Sequence, residues 1–328
     1  MKKNKMMRIA SILMVATLIT TCAISGTFAK YVTKAEGEGQ ARVAKWGIVL
    51  TMEGDKLFDS KYVAHDKDYL KAEGEYSVIA EANEDETQDK VVAPGTHSSD
   101  IENGGFKATV KGTPEVATRY TLSIPAGWTD IVLPAGTYTD YTQLVADENG
   151  KLGYNGTFTL AKDYAPVKWD IKVSKGDTTM SLTQVAQSKP ELAAAMGGDK
   201  YGFSATDAKT IVKTYADALE ELILTMVTGA RNPQFVVNED GSIELSMDFD
   251  PNKDMDFTFE LAWAWAYDTE EAGVEIAGTS SVDAELTDVR DMADTYLGNA
   301  IAGVIAELPD GVSTELSFSF VATATQID

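Results

Sequence analysis

The segment from Asp256 to Asp268 alternates strictly between large apolar residues and small or polar ones, and it limits the fold more than any other stretch. Its large residues all fall on one face of an extended chain: Phe257, Phe259, Leu261, Trp263, Trp265 and Tyr267. Because successive side chains of a strand point to opposite faces, this alternation predicts a long β-strand with one buried face. We interpret its tryptophans as core residues; a carbohydrate-binding face is the alternative.

Similar alternation recurs along the chain. It predicts strands at Trp46–Met52, Phe106–Val110, Ala117–Ile124, Thr157–Leu160, 166–173, 242–250 and 314–327. The turn-forming residues Asp250–Asp254 predict that the strands on either side of them form an antiparallel hairpin. So many strands between Gly, Pro and Asp turns favour a mainly β fold, a jelly-roll-like antiparallel β-sandwich.

Two stretches show helical spacing instead. Apolar residues recur at helical intervals between Ser204 and Val227, and again between Val282 and Leu308, where Pro309 stops the pattern. Shorter helical turns are expected around Ser181–Gln187 and Pro190–Met196. The sequence therefore predicts one β-sandwich domain, 45–328, with helical insertions near 181–228 and 282–308.

The first 29 residues have the pattern of a secretory signal. A basic start precedes the apolar run Ile9–Ile24, and Thr27 and Ala29 form a small-residue cleavage site, so the mature chain is expected to begin at Lys30. The only cysteine, Cys22, lies in this leader, which leaves the exported chain without disulfides. Lipidation of Cys22 is an alternative, although the residues before it lack the usual small side chain. We expect a secreted protein of the extracellular matrix or cell surface.

The charge of the chain limits its partners. The leader holds four of the 28 Lys and Arg and none of the 51 Asp and Glu, so the mature charge would be near −27. Such a charge repels phosphate backbones and anionic lipids. We therefore expect no nucleic-acid partner and no membrane binding after signal removal, whereas divalent cations remain compatible.

Motifs for catalysis are missing from the sequence. The two histidines, His65 and His97, have no second histidine at metal-ligand spacing, and there is no HExxH, G-x-S-x-G or phosphate loop. We therefore expect no enzyme and no catalytic residues.

One acidic stretch resembles the start of an EF-hand loop and gives a calcium hypothesis. Its candidate ligands are Asp248, Asp250, Asn252 and Asp254. Lys253 stands where an EF-hand needs glycine, and Phe259 stands where it needs a bidentate glutamate. An irregular calcium site is therefore one interpretation and a solvated hairpin tip is the other. No further cofactor is expected.

Five short segments, in this order, resemble the TasA and camelysin (CalY) family of exported proteins. Gly26–Thr33 is similar to the junction cut by SipW-type signal peptidases, and Ala41–Leu50 resembles the first mature strand of the family. The other three segments resemble the L-x-P-G turn, a following strand and the final strand: Val92–Gly95, Glu115–Tyr120 and Leu316–Thr323.

The resemblance implies a protein that polymerises into extracellular fibres of a Gram-positive biofilm matrix. In such fibres the N-terminal segment of one copy completes the sheet of the next, because a donated strand satisfies unpaired edge groups. Here the candidate donor is Lys30–Gln40, extending into 41–44, with Tyr31, Val32 and Val43 as polymerisation residues. The implied partner is the chain itself, head to tail, with an accessory fibre or anchor protein as a further partner.

Two other functions are open at this point. A surface adhesin would bind sugar or protein through Trp128, Trp169 or the 263–267 stripe. Some family members are described as metalloproteases, which would require a metal that the two isolated histidines do not predict.

Overall fold

The structure is a computed structural model that describes residues 42–63, 70–72, 75–76, 78–83, 90–101, 104–125, 131–146, 148–150, 152–195, 202–210, 213–265, 281–303, 308–310 and 312–327. The strands are β1 (Val49–Glu53), β2 (Lys61–Val63), β3 (Leu70–Ala72), β4 (Glu75–Tyr76), β5 (Val78–Glu81), β6 (Thr96–His97), β7 (Phe106–Lys111), β8 (Thr118–Ile124), β9 (Gly136–Ala146), β10 (Leu152–Leu160), β11 (Val167–Lys175), β12 (Thr178–Ser181), β13 (Ala230–Val237), β14 (Ile243–Phe249), β15 (Phe257–Trp265) and β16 (Val321–Gln326). The helices are α1 (Leu182–Gln187), α2 (Pro190–Ala195), α3 (Ala205–Lys209), α4 (Lys213–Met226) and α5 (Ser281–Ile301).

Two antiparallel sheets carry most of these strands. The larger sheet has the order β1-β7-β15-β11-β12, with β6 pairing with β15 as well, and the smaller sheet has the order β13-β14-β8-β16. The prediction of a mainly β fold with inserted helices is confirmed. The jelly-roll topology stays a prediction.

The two sheets share one apolar core. Tyr120 of the smaller sheet lies 5.3 Å from Phe257 and 6.2 Å from Phe259 of the larger sheet, measured between ring centroids. Within the larger sheet Trp263 faces Trp169 across the β15–β11 ladder, and both are buried. The apolar face predicted for residues 257–265 is thus the centre of the core, because burial of these rings is the main favourable term in folding.

The predicted hairpin around residues 250–254 is wrong. β14 pairs with β13 and β8, whereas β15 pairs with β11, β7 and β6, so the two strands lie in different sheets. Phe249 and Phe257 are stacked at 5.8 Å across the core. The strands therefore face each other across the core, and the turn is an arch between the sheets.

Two predicted strands are shorter than expected. The first begins at Val49, because Gly47 has a positive φ of 53° that interrupts the extended backbone. The last begins only at Val321. Phe318 and Phe320 before it pack against Trp169 and Phe106, so this stretch fills the core before the chain joins the ladder.

The first helical insertion covers one side of the two sheets, and helices α1 to α4 lie within the range 181–228 predicted for it. Helices α1 and α4 contact β11 and β12 of the larger sheet, and α4 also packs along β13 of the smaller sheet. Tyr215 of α4 contacts Phe203 and Phe235 at 5.4 and 6.0 Å. The amphipathic face of α4 is therefore buried at the junction between the two sheets.

The second helical insertion is α5, which packs against the β9–β10 hairpin. A two-stranded hairpin alone is marginal in water and needs such a cover. Asp294 of α5 accepts hydrogen bonds from the Tyr164 hydroxyl at 2.9 Å and from Trp265 Nε1 at 3.2 Å, and so ties the helix to β15. In the part of the chain that is described, no helix is long and apolar enough to cross a membrane.

One core hydroxyl gives a stability prediction. Tyr120 is fully buried, and its hydroxyl has no hydrogen-bond partner among the described residues. We expect Tyr120→Phe to leave the free energy of unfolding unchanged or to raise it by up to about 1 kcal/mol, because it removes a buried polar group that is not paired. Urea unfolding measures the change.

The matched control is Tyr62→Phe. The Tyr62 hydroxyl accepts a hydrogen bond from the Asp59 amide at 2.9 Å, and the side chain is equally buried. Loss of this hydrogen bond should lower the free energy of unfolding by about 1 kcal/mol. Equal effects of the two substitutions would contradict the prediction.

Candidate functional site

The predicted signal and most of the predicted donor segment lie outside the described residues. These are the cleavage residues Thr27, Ala29 and Lys30 and the polymerisation residues Tyr31 and Val32. Val43 is described, and 74% of its surface is exposed. The described chain therefore shows how the residues that directly follow the predicted donor segment are held.

The first described residues, 42–45, are held by Glu115, which lies between β7 and β8. The Arg42 guanidinium donates two hydrogen bonds to the Glu115 carboxylate, at 2.5 and 2.6 Å. The Lys45 amide donates a third at 2.9 Å. The Glu115 amide in turn donates to the Lys45 carbonyl at 2.9 Å. We call this set of contacts the exit clamp.

The exit clamp extends the β1–β7 ladder beyond the sheet. Val49 faces Lys111, and Lys45 faces Glu115 four residues further along both chains, in the same register. Between these pairs the backbone is bent at Gly47, with φ 53°, and at Gly112, with φ 145°. Residues with a Cβ rarely adopt such φ values, so glycine at both positions permits the bend.

The hydrogen bonds of the clamp lower the Glu115 pKa. Its hydrogen bonds from Arg42 and from the Lys45 amide lower the pKa to about 2. A carboxyl whose pKa falls on folding stabilises the folded state above its unfolded pKa and loses that contribution as pH falls through the folded value. Glu115 therefore stays ionised in mild acid, and the clamp persists there.

One side of the molecule carries two strand edges without a neighbour among the described residues. β1 ends the larger sheet and pairs with β7, and β16 ends the smaller sheet and pairs with β8. β1 and β16 contact each other. Strand edges of this kind present N–H and C=O groups to which another chain can add. We call this side, formed by β1 and β16, the open side.

The edge of the smaller sheet on the other side is protected by its own sequence. In β13, Pro233 lacks an N–H, Asn232 has a φ of 47°, and the register shifts between Arg231 and Gln234. The Phe235 amide donates to a carboxylate oxygen of Glu220 on α4, at 3.4 Å. Proline, a bulge and a covering helix are the devices by which proteins block edge pairing.

An apolar cavity of about 30 Å³ lies between the sheets. Its described lining comes from both sheets and from the stretch before β16: Phe106, Leu122, Ile124, Ile171, Phe235, Ile243, Leu245, Phe259, Glu260, Leu261 and Phe320. A cavity of this size exceeds the volume that one water needs, but its walls offer few polar partners to hold water. It suits apolar side chains and lacks the convergent polar groups of a catalytic pocket.

The carboxylate of Asp248, the first calcium candidate, is already paired with the guanidinium of Arg119. Its Oδ1 accepts from Arg119 Nε at 2.7 Å, its Oδ2 accepts from Arg119 Nη2 at 3.0 Å, and Asn232 adds a contact of 3.4 Å. The hydrogen bonds from Arg119 are the main reason why the pKa of Asp248 is lowered. The bridge joins β8 to β14 on the outer face of the smaller sheet.

The other calcium candidates point to different partners. Asp250 forms an ion pair with Arg231 at 2.7 Å, and Asp254 lies 4.0 Å from Lys175. Asn252 sits at the tip with a φ of 62°. No group of three or more acidic, histidine or cysteine side chains that could hold a metal occurs in the described ranges. The calcium hypothesis stays a prediction.

A thermal measurement tests the calcium hypothesis. It predicts that calcium raises the melting temperature of the mature protein and that Asp250→Asn removes this rise, because a ligand that binds only the folded state stabilises it. Glu239→Gln, in another exposed turn, is the control. No heat of binding in calorimetry, together with a melting temperature that ignores chelator, would end the hypothesis.

Tryptophans proposed for sugar binding are buried where the structure describes them. Trp169, Trp263 and Trp265 are at most 5% exposed. This burial confirms the interpretation of Trp263 and Trp265 as core residues and leaves Trp169 without an exposed face for a sugar. Trp128 and Tyr267 lie outside the described residues, as does His65. His97 pairs with Ala264 in the short β6–β15 ladder.

The exit clamp was not predicted from the sequence. Arg42 and Glu115 are 73 residues apart, and each is an ordinary charged residue. The one available signal was that both lie in segments, 41–50 and 115–120, that carry the family resemblance. Comparisons with protein-family models, with curated proteins and with solved structures find no match. The resemblance to the TasA and camelysin family stays a prediction.

Proposed function

We propose that the chain is a secreted structural protein that polymerises head to tail into extracellular fibres. The N-terminal segment of one copy adds as a strand to the next copy. The observation that carries the proposal is the open side: β1 and β16 contact each other, and each has one edge without a partner strand among the described residues, while helices and Pro233 protect the opposite side. The accessory fibre or anchor protein expected from the resemblance is part of the same proposal.

The position of the exit supports an open polymer. The described chain begins at Arg42, beyond the Val49 end of β1, whereas the edges that have no partner strand among the described residues run along β1 and β16. Donor and acceptor are thus different surfaces of one molecule. A contact between two different surfaces does not close on itself and propagates into a filament unless the rotation closes a ring.

The acceptor offers both kinds of interaction that a donated strand needs. Main-chain groups of β1 and β16 supply hydrogen bonds, and the partly buried Leu50 and Met52 of β1 and Ala322 of β16, which pack against the core, supply apolar contacts. Strand addition gains affinity from the main chain and specificity from alternate side chains.

Imaging the mature protein tests the proposed function. Protein beginning at Lys30 is purified as a monomer and kept at neutral pH with and without calcium, and electron microscopy and sedimentation then follow assembly. We expect fibres of uniform width. Persistent monomer in both conditions would overturn the proposal, and binding of that monomer to a glycan array would favour the adhesin.

A further inference from the structure

We propose that Glu115 is a positioning residue that fixes the direction in which the N-terminal segment leaves, so that the segment reaches another copy and does not fold back onto its own β1 edge. This inference rests on the proposed function and adds its regulation. It concerns a competition between two acceptors, the edge of the same copy and the edge of the next.

The two acceptors compete because the segment 30–41 is long enough to reach either of them. Residues 30–41 would reach about 40 Å when fully extended. The own β1 edge is about 17 Å long and begins seven residues beyond Arg42. A tethered segment sees its own edge at an effective concentration on the order of millimolar. Without a constraint on direction, the edge of the same copy would be occupied first.

The exit clamp supplies that constraint through several atoms at once. Both Glu115 oxygens are engaged by Arg42, one of them also accepts from the Lys45 amide, and the Glu115 amide binds the Lys45 carbonyl. A bidentate guanidinium–carboxylate pair fixes orientation as well as distance. Residues 42–45 are therefore held to Glu115 through side-chain and backbone atoms.

The direction that the clamp imposes points away from β1. Residues 42–46 lie before the Val49 end of β1, remote from Glu53, and beyond the bends at Gly47 and Gly112 the Lys45–Glu115 pair keeps the register of the β1–β7 ladder. To pair with its own β1, the chain would have to reverse immediately before Arg42. Release of the clamp would allow the reversal to occur instead at Gly47, whose backbone tolerates it.

The loop that carries Glu115 is itself anchored. The Asn252 amide donates to the Pro114 carbonyl at 2.8 Å, and the Met255 amide donates to the Gly112 carbonyl at 2.9 Å. Met255 is buried in the core. The clamp thus holds residues 42–45 against the arch between the sheets, which is anchored in the core. We infer that this pre-organises the preceding segment for binding to another copy.

Distance measurements between spin labels test the clamp in the monomer. The mature chain has no cysteine, so Gln40→Cys and Glu239→Cys give two unique labelling sites. We expect a narrow distance distribution in the parent and a broad one after Glu115→Gln or Arg42→Ala. Glu148→Gln, an exposed glutamate in the β9–β10 turn, is the control for the charge change and should leave the distribution narrow.

Fibre growth is the second readout. Glu115→Gln should raise the protein concentration needed for growth on the order of tenfold, because the segment loses its pre-organisation. The exchange Arg42→Glu with Glu115→Arg restores a pair of opposite charges and should recover both the narrow distribution and part of the growth. The melting temperature should change little in Arg42→Ala, since Arg42 is 67% exposed.

The two proposals fail in different ways. An unchanged distance distribution in both Glu115→Gln and Arg42→Ala would overturn the clamp, whether or not fibres form. Unchanged fibre growth in Glu115→Gln, with parent fibres present, would overturn its role in assembly. Absence of fibres from the parent would overturn the proposed function, and with it the assembly role, whatever the monomer distances show.

Discussion

Removal of residues 30–40 is expected to leave a folded, secreted monomer that no longer forms fibres. The core and all the described strands lie after residue 42, and the exit clamp begins at Arg42, so the deletion removes no described contact. The donated strand is lost, and with it the contact between copies. Electron microscopy reports fibres, and circular dichroism with thermal unfolding reports the fold.

Two further experiments show whether the sequence of residues 30–40, and not only their number, is needed for fibres. Replacement of residues 30–40 by a Gly/Ser segment of equal length keeps the spacing but removes the apolar side chains Tyr31 and Val32. It should also prevent fibres. A synthetic peptide with the sequence of residues 30–41 should stop growth of the parent protein by occupying free acceptors. Fibres formed by the deletion variant would refute the donor role.

Gly202→Ala is expected to have the largest effect on stability among the glycine substitutions. Gly202 has a φ of 108°, and a Cβ at this position would overlap the carbonyl oxygen of Trp169. Trp169 and Phe203 exchange two backbone hydrogen bonds, at 2.7 and 2.9 Å, that join the helical insertion to β11. The substitution should lower the free energy of unfolding by about 3 kcal/mol or more, because it adds backbone strain at residue 202 and breaks the hydrogen bonds between Trp169 and Phe203.

Gly150→Ala is the matched control for backbone strain alone. Gly150 has a φ of 76°, and a Cβ there would meet nothing within 4 Å. Its cost should be about 1 kcal/mol. Denaturant unfolding of both variants measures the difference. Similar costs would show that the approach to Trp169 is unimportant and that the helical insertion is attached in another way.

The strands could be predicted from the sequence because burial of one face leaves a period of two. That pattern identifies the buried face but not the neighbouring strand. For β14 and β15 it gave the correct faces, yet the strands lie across the core from each other, where Phe249 meets Phe257. Side-by-side and face-to-face strands produce the same alternation, so sequence spacing alone does not separate them.

The candidate site was predictable only in part. The N-terminal segment was proposed as the donor from the predicted leader and from the family resemblance, and it stays a prediction. The open side was not, because the exposure of β1 and β16 depends on which strands pair elsewhere. Arg42 and Glu115 form a pair only after β1 and β7 align in register. Long-range register is a property of the folded chain.

The protected edge at β13 has a consequence for the shape of the material. Pro233, Asn232 and the Glu220 contact deny that edge to a further strand. In the proposed fibre this edge would therefore not accept a donated strand, and copies would add at the open side instead of at β13. Neighbouring fibres of the proposed kind would then not pair through β13, which opposes sideways merging of their sheets into the stacked cross-β arrangement of amyloid.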